Sequence, residues 1–196
     1  MEQENQNSRK GFIPPHGGYK NLITFRQAEY IYDATIKFTG LYFRRYDRTV
    51  DQMIQAARSG KQNIVEGSMA SAASKEIEIK LTSIARASLE ELKNDYIDFL
   101  RLRGVAVWEK NHRFAARFAE LLRIPNPTYQ TFRPALEHSD AAISANAIVC
   151  LIKATSYLLK RQLEILEQEF LHKGGIRENM MKARQEYKRK LGNQRG

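Results

Sequence analysis

The chain has few residues that could cross-link it or anchor it in a membrane. It contains one cysteine, Cys150, which excludes an internal disulfide and suits a reducing compartment. No run approaches the ~18 uncharged apolar residues that a membrane-spanning helix needs. The N-terminal stretch MEQENQNSRKGFIPPHGG is polar and has no apolar segment that could act as a secretory signal. These absences predict a soluble cytoplasmic protein.

The positive charge is concentrated in two segments. Of the net charge of +10, residues 101–123 contribute six Lys/Arg against two Asp/Glu, and residues 173–196 contribute eight against two. The rest of the chain is balanced. Such patches attract polyanions such as RNA or DNA, whereas several net charges also serve solubility alone. Charge by itself leaves both interpretations open.

The apolar pattern predicts helices, because apolar residues recur at spacings of three and four while glycine and proline fall between segments. Ser74 and Asp140 are predicted N-caps, and Gly104 and Gly174 are predicted stops. The first helix carries the stripe Phe25, Ala28, Tyr32, Ile36, Thr39 and Phe43. The third carries Ile77, Leu81, Ile84, Ser88, Leu92, Asp95, Phe99 and Leu102.

Four long helices with short links predict an all-α fold, an antiparallel four-helix bundle over residues 19–173. Residues 108–122 are a predicted short extra helix, and the following RIPNPTYQTFRP is a predicted loop because of its prolines. Residues 1–18 are predicted to form a flexible arm. Residues 174–196 are a predicted basic C-terminal suffix, with a helix over 176–191.

The segment QAARSGKQNIVEGS, residues 55–68, contains a Gly-Lys pair that invites comparison with a phosphate-binding loop. Such a loop needs glycine, four residues, Gly-Lys and then Ser or Thr, after a strand. Here Gln62 follows Lys61, Gln55 stands five positions before Gly60, and no strand precedes. The segment is therefore predicted to be part of the second helix.

Four residues of this segment are predicted to pack helices or subunits. Gly60 costs roughly 1 kcal/mol of helix stability relative to alanine, so it is expected to permit a close helix approach or a local bend. Lys61 lies within the apolar face and is expected to lay its stem along that face or pair with a carboxylate. Asn63 and Glu66 point the other way, toward solvent or a neighbouring helix or subunit, and we favour the contact.

Residues 59–101, SGKQNIVEGSMASAASKEIEIKLTSIARASLEELKNDYIDFLR, resemble a family of bacterial four-helix-bundle proteins. The family is linked to intervening sequences of 23S ribosomal RNA genes and includes the accessory variability determinant of diversity-generating retroelements. The shared signature begins with Asn-Ile-x-Glu-Gly from Asn63. It continues with Ser-Lys-x-Glu, which is Ser-Lys-Glu from Ser74 here, and ends with Ile-Ala-x-x-Ser-Leu-x-Glu-Leu from Ile84. The chain departs from the family where it has Gly60-Lys61 instead of Ile-Pro, and its Ser-Lys-Glu spacing is slightly shortened.

A subgroup with an extra C-terminal suffix segment is more similar still, over nearly the whole chain from Gly17. The resemblance implies a four-helix bundle that assembles into a ring-like homo-oligomer, pentameric in characterised relatives. It also implies nucleic-acid binding without catalysis, and a protein partner such as a reverse transcriptase. No catalytic residue transfers from the family, and binding residues transfer only as a tendency toward basic surface.

Metal, cofactor and catalytic sites are not predicted. The four histidines are far apart, and none has a Cys or carboxylate neighbour at metal-ligand spacing. A di-iron site in a helical bundle requires the ligand motif Glu-x-x-His on two of its four helices, and the four long predicted helices do not supply such a pair. Cys150 is interpreted as a small core residue without a partnered base. The chain is therefore predicted not to be an enzyme, although an acid/base pair in the bundle core is a remote alternative.

The predicted function is nucleic-acid binding with little sequence readout, to RNA in preference to DNA, as an accessory to a nucleic-acid-handling enzyme. Tyr187 is expected to stack on bases while neighbouring cations contact phosphate. The alternative for the suffix is a solvated tail helix. The rival function is a structural or protein-binding module that uses Tyr30, Tyr32, Tyr42 and Phe43. The candidate binding residues are Arg101, Arg103, Arg113, Arg117, Arg177, Lys182, Arg184, Tyr187, Lys188, Arg189 and Lys190.

Overall fold

The fold is all-helical, as predicted: the computed structural model describes residues 18–44 and 46–193, and no strand occurs among them. The predicted N-terminal arm, residues 1–18, lies outside the described residues except for Gly18. A short 3-10 helix, Tyr19–Asn21, precedes the α-helices. These are α1 (Ile23–Tyr42), α2 (Arg48–Ala70), α3 (Lys75–Arg101), α4 (Arg113–Leu122), α5 (Tyr129–Leu136), α6 (Ala141–Lys173) and α7 (Ile176–Asn193).

The helix ends follow local chemistry that the sequence predicted. The Ser74 hydroxyl accepts a hydrogen bond from the Ile77 amide at 3.2 Å at the start of α3. At the start of α6, the Asp140 carboxylate accepts one from the Ala142 amide at 2.8 Å. Gly174, with φ of 70°, ends α6 in a conformation that favours glycine. These caps confirm the predicted starts of α3 and α6 and the predicted stop after α6.

The long helices α1, α2, α3 and α6 form what we call the helical body. Each of them packs against two of the others: α1 against α2 and α6, and α3 against α2 and α6. Near the start of α1, the Thr24 hydroxyl donates to Gln162 late in α6 at 3.3 Å, and at its end Tyr42 donates to the His138 carbonyl just before α6 at 2.7 Å. The two helices therefore run antiparallel.

One stretch of α6 is enclosed on every side, because residues 144–149 are all buried. Besides α1 and α3, the short helices α4 and α5 pack on it. The Trp108 amide donates to Asn146 Oδ1 at 2.7 Å and fastens the segment before α4 to α6. Within the described residues, one helical stretch that begins at Ala141 is long and apolar enough to span a membrane, and 61% of its apolar window is buried inside the protein. Its apolar composition thus matches its place in the core.

Two buried polar side chains of the helical body form hydrogen bonds across helices. Tyr96 on α3 is fully buried, and its hydroxyl donates to Thr35 Oγ1 on α1 at 3.1 Å. The buried Thr155 hydroxyl on α6 bonds Gln27 Oε1 on α1 at 3.0 Å. Because an unpaired buried polar group costs free energy, these bonds specify how α1 registers against its neighbours.

The helices α2 and α3 approach closely at Gly60, which is buried. A Cβ atom at this position would lie 2.7 Å from Leu89 Cδ2 and 2.9 Å from its Cγ. Beside it, the Ser59 and Ser88 hydroxyls bond across the two helices at 2.9 Å, and Asn63 donates to the Ser59 carbonyl at 2.9 Å. Gly60 therefore permits a close approach of the two helices. Asn63 supports the contact indirectly, by bonding to Ser59, whose hydroxyl bonds to α3.

Three predictions about the fold were wrong in detail. The predicted loop at 123–134 contains most of α5, whose Thr128–Thr131 capping box starts it and whose Pro134 lies inside it. The predicted single extra helix is therefore a pair, and the first begins at Arg113 rather than at 108. The apolar stripes were misplaced, since four of their members are exposed: Ile36 (39%), Ile77 (47%), Ile84 (39%) and Leu102 (75%).

We expect alanine to have opposite effects at two helical glycines. At Gly40 of α1 no atom lies within 4 Å of the added Cβ, so Gly40→Ala should raise the free energy of unfolding by up to about 1 kcal/mol through helix propensity. Gly60→Ala should lower it by roughly 1–3 kcal/mol, because Leu89 is fully buried and cannot move aside. Urea unfolding of both variants measures the difference. Equal stabilisation of the two would contradict the close approach.

Alkaline pH should destabilise the protein through Tyr96. Burial raises the pKa of this hydroxyl above its ordinary value of 10.0. The group therefore contributes its full stability below pH 10 and loses it as the pH rises further, since only the unfolded chain ionises readily. Above pH 10 the wild type should lose up to about 1.4 kcal/mol per pH unit more than Tyr96→Phe. Parallel pH profiles for the two proteins would contradict this assignment.

Candidate nucleic-acid interface

The arginine patch, which we define as Arg101, Arg103, Arg113 and Arg117, lies where α3 ends and α4 begins. All four side chains are exposed. Arg101 is the last residue of α3, whereas Arg113 and Arg117 are one turn apart on α4. The structure therefore gathers these predicted residues at one end of the helical body, on segments that pack against the first half of α6.

Two members of the arginine patch already have partners within the chain. Arg101 donates to the Asp98 carboxylate through Nη2 at 2.9 Å and Nε at 3.1 Å, so its charge is partly offset. The Arg103 guanidinium lies 3.6 Å from the centre of the Phe99 ring and donates to the Phe99 carbonyl at 3.3 Å. Stacking fixes the Arg103 group without neutralising it.

The α4 arginines are the more available pair. The Arg113 guanidinium sits 4.5 Å from the centre of the Phe114 ring. Arg117 borders a cavity between α4 and α5, and neither arginine forms an ion pair with any residue that the structure describes. These two charges are free to meet an external anion.

The sequence did not predict this cavity. It is lined mainly by apolar and aromatic side chains, among them Trp108, Phe114 and Phe118, with Arg117 and His138 also on its walls. The clustering of aromatic and basic residues in VWEKNHRFAARF, residues 107–118, is the signal that could have suggested it. The opposite wall comes from α5, which the sequence interpretation treated as loop.

The terminal helix α7 carries the second basic surface. Every residue from Arg177 to Lys190 is exposed, and α7 makes no extended packing contact with another described helix. None of its six cations forms an ion pair with a described residue, and its two acids are Glu178 and Glu186. The exposed candidates on this helix are Arg177, Lys182, Arg184, Tyr187, Lys188, Arg189 and Lys190.

The two basic surfaces begin at opposite ends of the helical body. Lys75, at the start of α3, pairs with Glu169 near the end of α6 at 3.2 Å. Burial lowers the pKa of Lys75, but its bonds to Glu78 and Glu169 raise it overall and hold the ion pair. Gly175, just before α7, is buried at this same end, where a Cβ would lie 3.2 Å from Glu76 Oε1. The arginine patch is at the other end of α3.

The predicted packing residues divide into internal and external ones. Gly60 and Asn63 act between α2 and α3, as described above. The Lys61 ammonium lies 4.2 Å from the centre of the Tyr32 ring on α1, so an aromatic face takes the place of the expected carboxylate. Glu66 is exposed and makes no hydrogen bond or ion pair with a described residue, so it does not tie helices within the protomer. Its contact with another subunit stays a prediction.

The aromatic residues assigned to the rival protein-binding function contact other parts of the chain itself. Tyr30 donates to the Pro127 carbonyl at 3.1 Å, and Tyr42 donates to the His138 carbonyl. The Phe43 ring packs on Phe38 and Phe99. With Tyr32 against Lys61, all four are half-buried in intramolecular contacts. They do not form an open docking face.

Histidine and cysteine side chains of the described residues have structural surroundings. Among the described residues, no group of three or more His, Cys, Asp or Glu side chains could hold a metal ion. His112 caps α4 by accepting from the Phe114 amide at 3.3 Å, and it stacks on Trp108. Burial raises the pKa of the Cys150 thiol, which keeps it in the less reactive protonated form.

No protein-family model, curated protein or solved structure matches the chain. The family resemblance inferred from the signature residues therefore stays a prediction.

Removal of α7 should leave the helical body as stable as before. A chain that ends at Gly175 loses the hydrogen bond from its amide to Glu178 and a helix that makes no extended packing contact with another described helix. We expect its thermal midpoint to lie within about 2 °C of the wild-type value, since exposed changes have small effects. Thermal unfolding followed by circular dichroism measures this. A fall of 10 °C or more would show that α7 does pack on the body.

Proposed function

We propose that this chain is a non-enzymatic protein that binds nucleic acid through charge, with little sequence readout. The observation that carries the proposal is α7, a helix with six cations and two acids. Its residues 177–190 are all exposed, and it makes no extended packing contact with another described helix. A helix of this composition gains little from the chain itself, whereas a polyanion would neutralise its charge and release counterions.

RNA is the preferred ligand in this proposal. Tyr187 is 65% exposed and stands among Arg184, Lys188 and Lys190, so its ring is available for stacking beside groups that contact phosphate. Stacking on aromatic side chains favours the unpaired bases that RNA loops and single strands expose. Since every base has an aromatic face, such contacts select single-stranded character more than sequence.

We further propose that the helical body is an antiparallel four-helix bundle and that it assembles as a homo-oligomer, pentameric if the family resemblance holds. Large apolar side chains that remain exposed on the protomer support assembly, for instance Ile77, Ile84, Ile165 and Leu171. A cytoplasmic role as an accessory to a nucleic-acid-handling enzyme, such as a reverse transcriptase, completes the proposal.

A protein-binding module is the second candidate, favoured by one observation. Met180 (48%), Met181 (61%) and Tyr187 (65%) are exposed on α7. Methionine and tyrosine are frequent at interfaces between proteins. In this alternative α7 would dock on a partner by its apolar side chains, and its charges would only keep it soluble.

The two candidates predict different effects of charge removal on α7. In the double variant Lys188→Gln/Arg189→Gln, binding to single-stranded RNA should weaken at low salt. The slope of log Kobs against log salt should become shallower by roughly 1.4, which is two phosphate contacts at ~0.7 each. Fluorescence anisotropy of a labelled RNA over a salt series measures both quantities.

The chain offers a matched control with the same Lys-Arg dipeptide. Lys160 and Arg161 are exposed on α6, but Glu164 already pairs with them, at 3.9 Å and 2.6 Å. Lys160→Gln/Arg161→Gln should therefore leave affinity and slope near the wild-type values. Unmeasurable RNA binding by the wild type at low salt would overturn nucleic-acid binding and leave the protein-binding candidate.

A further inference from the structure

The cavity beside α4 has the shape and lining of a small-molecule pocket. It has a volume of about 320 Å³ and lies between α4, α5 and the first turn of α6. This volume is at the lower end of the range for ligand pockets, which suits one flat ring system. Trp108 and Phe114 contribute aromatic walls with ring centres 5.3 Å apart, and Phe118 and Ala135 contribute apolar ones.

The polar groups on the cavity walls are hydrogen-bond donors. Nδ1 of His138 accepts from the Asp140 amide at 2.9 Å, so the proton of the neutral ring is on Nε2. Oγ1 of Thr131 accepts from the Thr128 amide at 3.1 Å, which leaves its hydroxyl hydrogen to donate. Arg117 adds a cationic donor. The cavity therefore suits a ring that carries acceptors, such as the carbonyl oxygens of a nucleobase.

Charge at the mouth of the cavity identifies the rest of the ligand. Arg117 lines it, and Arg113 lies one helical turn away, both without an acidic partner among the described residues. An aromatic pocket next to unpaired arginines is complementary to a base attached to phosphates. A purely apolar ligand would leave the donors and both charges unused.

We propose that this pocket receives one unstacked base of a single-stranded nucleic acid whose backbone crosses the arginine patch. The inference rests on the proposed nucleic-acid function and adds to it a defined contact. Electrostatic binding tolerates any polyanion, whereas this pocket requires a free base. It thus makes the protein distinguish single strands from duplexes at this end of the helical body.

The single tryptophan of the chain, Trp108, provides a direct optical readout. A twelve-residue oligouridine should quench its fluorescence because a base stacks beside the indole. An abasic phosphodiester of the same length should bind through charge about tenfold more weakly and leave the fluorescence unchanged, a factor that falls within the contribution of one stacked base. A duplex of the same length should also fail to quench.

Filling the cavity provides the mutational test. Ala135 lines it from α5, so Ala135→Phe should place a ring inside, abolish the quenching and lower oligouridine affinity about tenfold, to the level of the abasic ligand. The matched control is Ala116→Phe, at an exposed alanine of α4 that does not line the cavity, and it should keep wild-type behaviour. Phe114→Leu, which removes one aromatic wall without adding bulk, should lower the affinity in the same direction.

The outcomes separate this inference from the proposed function. Oligouridine and the abasic phosphodiester could bind with equal, salt-dependent affinity and without quenching of Trp108. That result would overturn the base pocket and leave the proposed function standing. Uridine monophosphate that binds and quenches as strongly as the oligomer would also overturn it, because the site would then serve a free nucleotide. Failure of every oligomer to bind at low salt would overturn both.

Discussion

The complete burial of residues 144–149 in α6 is the constraint on which the rest of the structure depends. A helix buried on all sides at residues 144–149 needs partners all round, and α1 and α3 cover only part of it. The segment before α4, fastened through Asn146, and the pair α4 and α5 cover the remainder. The arginine patch and the aromatic cavity therefore exist because the core helix required a second layer at this end.

The sequence predicted the helices well where a single residue decides a boundary, as Ser74, Asp140 and Gly174 do. It predicted their buried faces less well. A helix that packs on two neighbours buries a wide face, and small polar residues such as Thr35 and Thr82 fill it as readily as isoleucine does. Ile36 and Ile77 were consequently assigned to the core although they are exposed. Periodicity finds such a helix but does not fix its rotation.

The candidate site likewise has features that local sequence predicts and features that depend on tertiary packing. The two concentrations of charge are visible in composition, and the structure places every one of the predicted cations at the surface. The cavity was not predictable, because its walls come from Trp108, α4 and α5, and α5 was hidden by its prolines. A proline late in an eight-residue helix removes only one backbone hydrogen bond there, so the capping box at Thr128 outweighs it.

The placement of charge at opposite ends of the helical body sets a length scale for any ligand. The 27 residues of α3 rise about 40 Å from the Lys75 end, where α7 begins, to the arginine patch. At 3.4 Å per base pair, that span equals roughly 12 base pairs of duplex. Under the proposed function, a nucleic acid would have to extend this far to contact both the start of α7 and the arginine patch. The length of the ligand is then a property that such a surface could select without base-specific contacts.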